Sequence, residues 1–121
     1  MNNFFSRASN FSLNLPIFDK LMTNQFGVKI RQLREEAKLL QKQVADRLAI
    51  DAPMLSKIES GDRKAKRDQV SVLAEVLMAD QDELLTLWLA DHVLDVVADE
   101  QVGLQALTLV SNQMINHSKL T

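Results

Sequence analysis

Two short amphipathic patterns lie on either side of a break in residues 41–61, which read QKQVADRLAIDAPMLSKIESG. In the first pattern Val44, Ala45 and Leu48 fall on one face at the spacing of an α-helix. This apolar spacing is lost directly after Leu48, where a short irregular stretch follows. The sequence therefore predicts a helix that ends at Leu48 and a tight turn after it.

A second helix is predicted directly after this turn. The Asp51 carboxylate can accept hydrogen bonds from the free N–H groups of a following helix, which is the role of an N-cap. Pro53 fits the first turn of that helix because its missing N–H has no helical partner there. Leu55 and Ile58 then face inward, and Gly61 can take the left-handed conformation that commonly ends a helix.

Further amphipathic patterns flank this pair, and they have the period of a helix. Upstream, Thr23 or Asn24 can cap a helix whose inward face begins with Phe26. Downstream, helices are predicted over about residues 67–78, 80–97 and 99–116. Asp80 and Glu83 have the spacing of a reciprocal cap. Because the 121 residues include only three glycines and two prolines, we expect an all-α protein.

Several residues of the central stretch have types and spacings that one family of regulators shares. They are Gln41, Ala45, Leu48, Ile50, Leu55, Ser56, Ile58, Glu59 and Gly61. On these residues the chain resembles the Xre-type, lambda-repressor-like helix-turn-helix regulators, and residues 33–36, 73–77 and 82–85 extend the similarity over 25–89. The resemblance implies a small bacterial or phage transcriptional regulator, most simply a repressor. It also implies a five-helix lambda-repressor-like DNA-binding domain over residues 23–90, with an additional C-terminal helix within 91–121.

In this family the second helix of the pair enters the major groove of double-stranded DNA. The resemblance places five residues at the base edges: Ala52, Pro53, Met54, Ser56 and Lys57. Ala52 and Pro53 depart from the polar residues that commonly read adenine or guanine there. We therefore expect direct readout to depend mainly on Ser56 and Lys57, and DNA shape to supply the rest of the specificity.

The resemblance also implies contacts to the phosphate backbone, made by the start of the first helix of the pair and by a basic loop, residues 62–67. The expected residues are Gln41, Lys42, Arg63, Lys64, Lys66 and Arg67. Glu59 is expected to be anchored by Arg31 or Arg34 of the preceding helix. Leu40 stands where the family has a capping Thr or Ser, and Lys66 where it has a Ser. A missing cap costs about 1 kcal/mol.

Charge is unevenly distributed along the chain, although the formal net charge is only −2. Residues 25–68 hold eleven Lys and Arg against seven Asp and Glu, a net of +4. Residues 69–121 hold one Lys against eight acids, a net of −7, and residues 1–24 supply the remaining +1. This asymmetry indicates a basic half that meets phosphate and an acidic half that faces solvent or another protein.

The last predicted helix has an apolar stripe that the five-helix domain does not need. It could pack on the fifth helix of its own chain or on the same elements of a second chain. We expect a homodimer contact, for which the candidate residues are Trp88, Leu104, Leu107, Val110 and Met114. Two alternatives stay open. The acidic, apolar C-terminal half could hold a protein partner, as in an antitoxin, or the chain could control a restriction-modification system.

Residues 1–22 are rich in Asn and Ser and lack helical periodicity, which predicts a disordered arm. Met22 is a second candidate for the translation start, and residues 1–21 would then be an extension. A secretory signal is not expected, because polar residues and Pro16 interrupt the apolar stretch from Phe11 to Phe18.

The sequence contains none of the residue patterns that carry catalysis or bind metals. It has no cysteine, so no disulfide or thiolate metal site can form, and we expect a cytoplasmic protein. His92 with Asp91 and Asp95 is interpreted as a solvated helix face rather than a metal site. No nucleophile triad and no Gly-rich phosphate loop is present. We expect a protein that is not an enzyme, has no cofactor and does not span a membrane.

Overall fold

The computed structural model describes residues 23–120, and this part of the chain forms six α-helices and no strand. The helices are α1 Gln25–Glu36, α2 Gln41–Leu48, α3 Ala52–Ser60, α4 Arg67–Val76, α5 Gln81–Val97 and α6 Gly103–Leu120. The predicted all-α class is confirmed. The predictions of a disordered arm and an alternative start fall on residues 1–22 and lie outside the described residues.

The first five helices share one apolar core. Each of the five helices contributes to its fully buried large side chains, which are Ile30, Val44, Leu55, Val70, Leu73 and Leu84. The central helix α3 packs against α1 and α2, while α5 packs against α1 and α4. Ala45 has no exposed surface, which allows α2 to approach α3 closely.

The turn between α2 and α3 has a feature that the sequence did not predict. Ala49 takes the left-handed conformation with φ 58° and ψ 39°, which an alanine adopts only at a steric cost. Asp51 confirms its predicted role as N-cap of α3, because its Oδ1 accepts from the N–H of Met54 at 2.8 Å. Gly61 ends α3 with φ 88°, as predicted.

Glutamines supply the second half of a capping box at α2 and α4, where the N-cap residues have no hydroxyl. Gln43 Oε1 accepts from the N–H of Leu40 at 2.7 Å, and Gln69 Oε1 accepts from the N–H of Lys66 at 2.8 Å. Each glutamine lies at the third position of its helix and satisfies one free donor of the N-terminus. The missing hydroxyls are therefore partly offset, which the sequence analysis did not anticipate.

The start of α1 is capped from α5, 65 residues away in sequence. Asp91 is only 2% exposed, and its two oxygens accept from the N–H groups of Gln25 and Phe26, both at 2.9 Å. Asn24 makes no side-chain cap and instead donates to the Glu59 carbonyl at 3.0 Å. The predicted cap at Asn24 and the interpretation of Asp91 as part of a solvated face are both wrong.

Two further predictions of helix ends need correction. At α5 only the Asp80 half of the reciprocal cap forms, since Glu83 pairs with Lys29 of α1 at 3.5 Å. The last helix begins at Gly103 rather than near 99, after a turn that follows α5. Gly103 lies close to the end of α5 in this turn, since a Cβ there would be 2.5 Å from the Val97 carbonyl oxygen. Within residues 23–120, no helix is both long and apolar enough to cross a membrane.

Candidate nucleic-acid interface

The outer face of α3 carries the residues predicted to read base edges. Pro53, Ser56 and Lys57 are exposed there, whereas Ala52 and Met54 are half-buried. Met54 also packs against the core, so its contribution to an outer surface is limited. Among residues 23–120, the side chains of Ser56 and Lys57 have no hydrogen-bond or ion-pair partner. Their donors are available to a ligand.

Glu59, at the end of α3, holds the three helices of this region together. Its carboxylate accepts from Arg34 Nε at 2.7 Å and from Arg34 Nη2 at 3.1 Å, in the bidentate geometry that arginine favours. The third guanidinium nitrogen, Nη1, donates to the Leu39 carbonyl at 2.9 Å. Of the two arginines predicted to anchor Glu59, Arg34 makes the contact, and Arg31 pairs with Glu35 instead.

This ion pair is removed from solvent, since the side chains of Arg34 and Glu59 are 12% and 4% exposed. Hydrogen bonding to Glu59 raises the pKa of Arg34 above its ordinary value, against the opposing effect of burial. A raised arginine pKa means that the stabilising charge is present throughout the neutral range and is lost only in strong alkali. The Arg34 charge that joins α1 to α3 is therefore not lost in the neutral range.

Gln41 and Lys42 lie at the start of α2, where phosphate contacts are predicted. The half-buried Gln41 donates through Nε2 to Glu59 Oε1 at 3.0 Å, which orients the amide. An amide nitrogen has two hydrogens, so a second donor remains beside the helix N-terminus. Lys42 is exposed and lies 3.7 Å from Asp46, a solvent-screened pair that leaves its ammonium accessible.

The basic loop separates its cations into two groups. Arg63, Lys66 and Arg67 are exposed, and their side chains have no ion-pair partner in the described part of the chain. Lys64 differs, because its Nζ lies 3.0 Å from Asp95 Oδ2 and donates to the Thr23 carbonyl at 3.1 Å. Three of the four predicted phosphate ligands of the loop are thus free cations, and the fourth has intramolecular partners.

Comparison with known protein families agrees with this arrangement of α2, α3 and the loop. Residues 25–87, just over half of the chain, match the family described as a helix-turn-helix domain. The chain belongs to this family. Searches of curated proteins and of solved structures found no match. The matched span covers α1 to α4 and the first part of α5, so α6 lies outside the helix-turn-helix domain proper.

Trp88 contacts the basic loop of the helix-turn-helix protein, which the sequence did not predict. Its indole Nε1 donates to the Ala65 carbonyl of the basic loop at 2.8 Å, and its ring packs on the core. The His92 ring lies beside it with a centroid distance of 4.2 Å, and His92 Nδ1–H donates to the Trp88 carbonyl. That Trp88 also lies at a dimer contact stays a prediction.

The other residues predicted at a dimer contact lie on α6, which extends away from the helix-turn-helix core. Leu104, Val110 and Met114 are 55%, 50% and 68% exposed, and Leu107 is half-buried. The neighbouring part of α5 adds further exposed apolar side chains, among them Val93 and Val96. We call the four α6 residues the C-terminal apolar surface.

In residues 23–120 no group of three or more His, Cys, Asp or Glu side chains is placed to hold a metal ion.

The residues that sequence reasoning missed are Asp91, Asp95, Gln43 and Gln69. The two glutamines could have been found from their position three residues after a helix start, whereas the two aspartates depend on long-range packing.

Proposed function

We propose that the protein is a sequence-specific DNA-binding transcriptional regulator of the Xre or lambda-repressor type, most simply a repressor. One observation carries the proposal. The exposed cations Lys57, Arg63, Lys66 and Arg67 have no partner within residues 23–120, and they lie on or next to the α3 helix of a helix-turn-helix pair. Such charges gain more from phosphate than from solvent, because each neutralised phosphate releases counterions.

In the proposed complex α3 enters the major groove and presents Ser56 and Lys57 to base edges. Lys57 can donate to guanine O6 or N7, and Ser56 can donate to several bases. Ala52, Pro53 and Met54 offer apolar contact, for which a thymine methyl group is the natural partner. Arg63, Lys66 and Arg67, with Gln41 and Lys42 at the start of α2, would bind the backbone and set the register.

The proposed regulator acts as a homodimer through its C-terminal apolar surface. Exposed leucine, valine and methionine side chains along one helix are costly in water, and a second copy is the simplest partner that buries all of them. A two-fold dimer would bind a pseudo-palindromic operator with half-sites about 34 Å apart. Within this proposal the protein is not an enzyme, and a DNA-binding role would place it in the cytoplasm.

A second candidate function is supported by α6 itself. Residues 69–121 carry a net charge of −7, and the apolar side chains of α6 are exposed beside them. An antitoxin-like protein would use such a surface to hold a partner protein, with DNA binding as a secondary activity. Purification of the untagged protein with the product of a neighbouring reading frame would distinguish this function, since a heteromeric complex supports it and a homodimer does not.

Sequence specificity provides the test of the proposed function. The probe is the DNA upstream of the protein's own reading frame, compared with a scrambled duplex of equal length. Lys57→Ala should relax preference at one base pair, whereas Lys66→Ala should weaken binding to all sequences alike. Equal effects of the two substitutions on every duplex would contradict the assignment of α3 as the reading helix.

A further inference from the structure

Two adjacent residues of the basic loop make contacts with the same face of α5. Lys64 Nζ lies 3.0 Å from Asp95 Oδ2, and the Ala65 carbonyl accepts from Trp88 Nε1 at 2.8 Å. Trp88 and Asp95 are seven residues apart, or two helical turns, so they point the same way. The loop is therefore attached to α5 at its middle.

The same face of α5 also holds the start of α1, next to the same lysine. Asp91 accepts from the backbone of Gln25 and Phe26, and Lys64 donates to the Thr23 carbonyl at 3.1 Å. Lys64 thus joins the beginning of the domain to α5. Because the Asp95 carboxylate neutralises its charge, Lys64 has less to gain from a phosphate than its neighbours do.

We propose that Asp95 is a positioning residue for DNA binding, which acts on the basic loop through its ion pair with Lys64. In this proposal Lys64 is not a phosphate ligand. With Lys64 and Ala65 fixed against α5, the flanking residues Arg63 and Lys66 are left on the exposed side. A loop fixed in this way loses less conformational entropy when it binds phosphate. The inference rests on the proposed DNA-binding function and assigns residues within it.

The effect should be visible in DNA binding more than in folding. The side chains of Lys64 and Asp95 are 35% and 44% exposed, and ion pairs of that exposure contribute little to the stability of a domain. The other α5 pair, Lys29 with Glu83, has side chains that are 33% and 54% exposed and does not touch the loop. It provides a matched control.

The experiment measures the affinity for the upstream duplex at several salt concentrations, for the wild type and for K64M, D95N, K64M/D95N and the charge swap K64D/D95K. We expect K64M and D95N each to weaken binding roughly two- to fivefold, without additivity in the double variant. The slope of log K against log salt should not change. The swap should restore part of the lost affinity, because it re-forms the ion pair but not the bond to the Thr23 carbonyl. K29M should bind like the wild type, and K66M should make the negative slope shallower by about 0.9.

The opposite pattern would overturn the inference. If K64M lowers the salt slope as K66M does, and D95N binds more tightly than the wild type, then Lys64 is a phosphate ligand that Asp95 restrains. Binding of D95N and K64M that equals the wild type would also overturn it. Hydrogen exchange of the Trp88 indole N–H in the free protein gives a second readout, and it should be faster in D95N than in K29M. Failure of the wild type itself to bind duplex would contradict the proposed function, and with it any positioning role.

Discussion

Arg34 and Glu59 form a bidentate ion pair across the junction of α1 and α3, with nitrogen–oxygen distances of 2.7 and 3.1 Å. Gln41 of α2 donates to the same carboxylate, and Asn24 donates to the Glu59 backbone carbonyl. One residue at the end of α3 therefore fixes that helix to α1, to α2 and to the segment before α1. The orientation of the proposed reading helix depends on this junction.

Loss of Arg34 should strongly destabilise the fold. Arg34→Met leaves the Glu59 carboxylate buried without its countercharge, and breaking a buried pair in this way costs about 3–5 kcal/mol. Urea unfolding followed by circular dichroism would measure the change. Arg31→Met is the control, because Arg31 forms an exposed pair with Glu35 and its loss should have little effect. Similar unfolding midpoints for the two variants would contradict the role of the junction.

Asp91→Asn should destabilise the start of α1. The amide that replaces the carboxylate has only one acceptor oxygen for two backbone donors, and its NH2 group would face the second N–H. We expect a loss of about 1–3 kcal/mol in the free energy of unfolding, measured by thermal denaturation. Asp99→Asn changes an exposed aspartate and should leave the melting temperature unaltered. If Asp91→Asn changed the melting temperature as little as Asp99→Asn does, the role of Asp91 as a buried cap would be contradicted.

A hydroxyl at position 40 should stabilise the protein. Leu40 is the N-cap of α2 with a side chain that is 68% exposed, and serine at that position could accept from the N–H of the third helical residue. Leu40→Ser is therefore expected to gain about 1 kcal/mol relative to Leu40→Ala, which loses the same leucine without adding an acceptor. Chemical denaturation of both variants checks this, and no difference between them would refute it.

Removal of α6 should abolish the proposed dimer. A chain cut after Ala98 lacks the C-terminal apolar surface and should sediment as a monomer, whereas the full chain should sediment as a dimer. Val110→Asp should have the same effect within the full chain, because a charge at a dimer contact is costly. Asn112→Asp is the matched control, because Asn112 is exposed and lies about 200° around the same helix from Val110. A shortened protein that is still dimeric would place the contact elsewhere.

Local signals predicted much of the fold. The spacing of Val44, Ala45 and Leu48, the cap at Asp51 and the glycine at 61 all act within a few residues, and the helices they predict agree with the structure. Other features depend on packing between distant segments. Asp91 caps a helix that begins 66 residues earlier in the chain, and no local pattern distinguishes such an aspartate from a solvated one.

The candidate site likewise has features that local sequence signals predict and features that depend on packing between distant segments. A sequence motif can predict that Lys57, Arg63 and Lys66 lie on the proposed reading helix and its adjoining loop, because it fixes the elements that carry them. It cannot show that Lys64, between two free cations, is paired with Asp95, since that contact requires the position of α5. The bond between Trp88 and the Ala65 carbonyl likewise depends on the position of α5, so the sequence did not predict it.

The salt dependence of DNA binding tests the central claim most directly. The measurement compares the wild type with R63Q/K66Q/R67Q and with the control R31Q/K29Q/K119Q, which removes the same charge away from α3 and the loop. The account predicts that the loop variant loses about 0.9 in the slope of log K against log salt for each phosphate contact removed, and that the control keeps the wild-type slope. Equal slopes and affinities for the two variants, or wild-type binding that does not respond to salt, would contradict it.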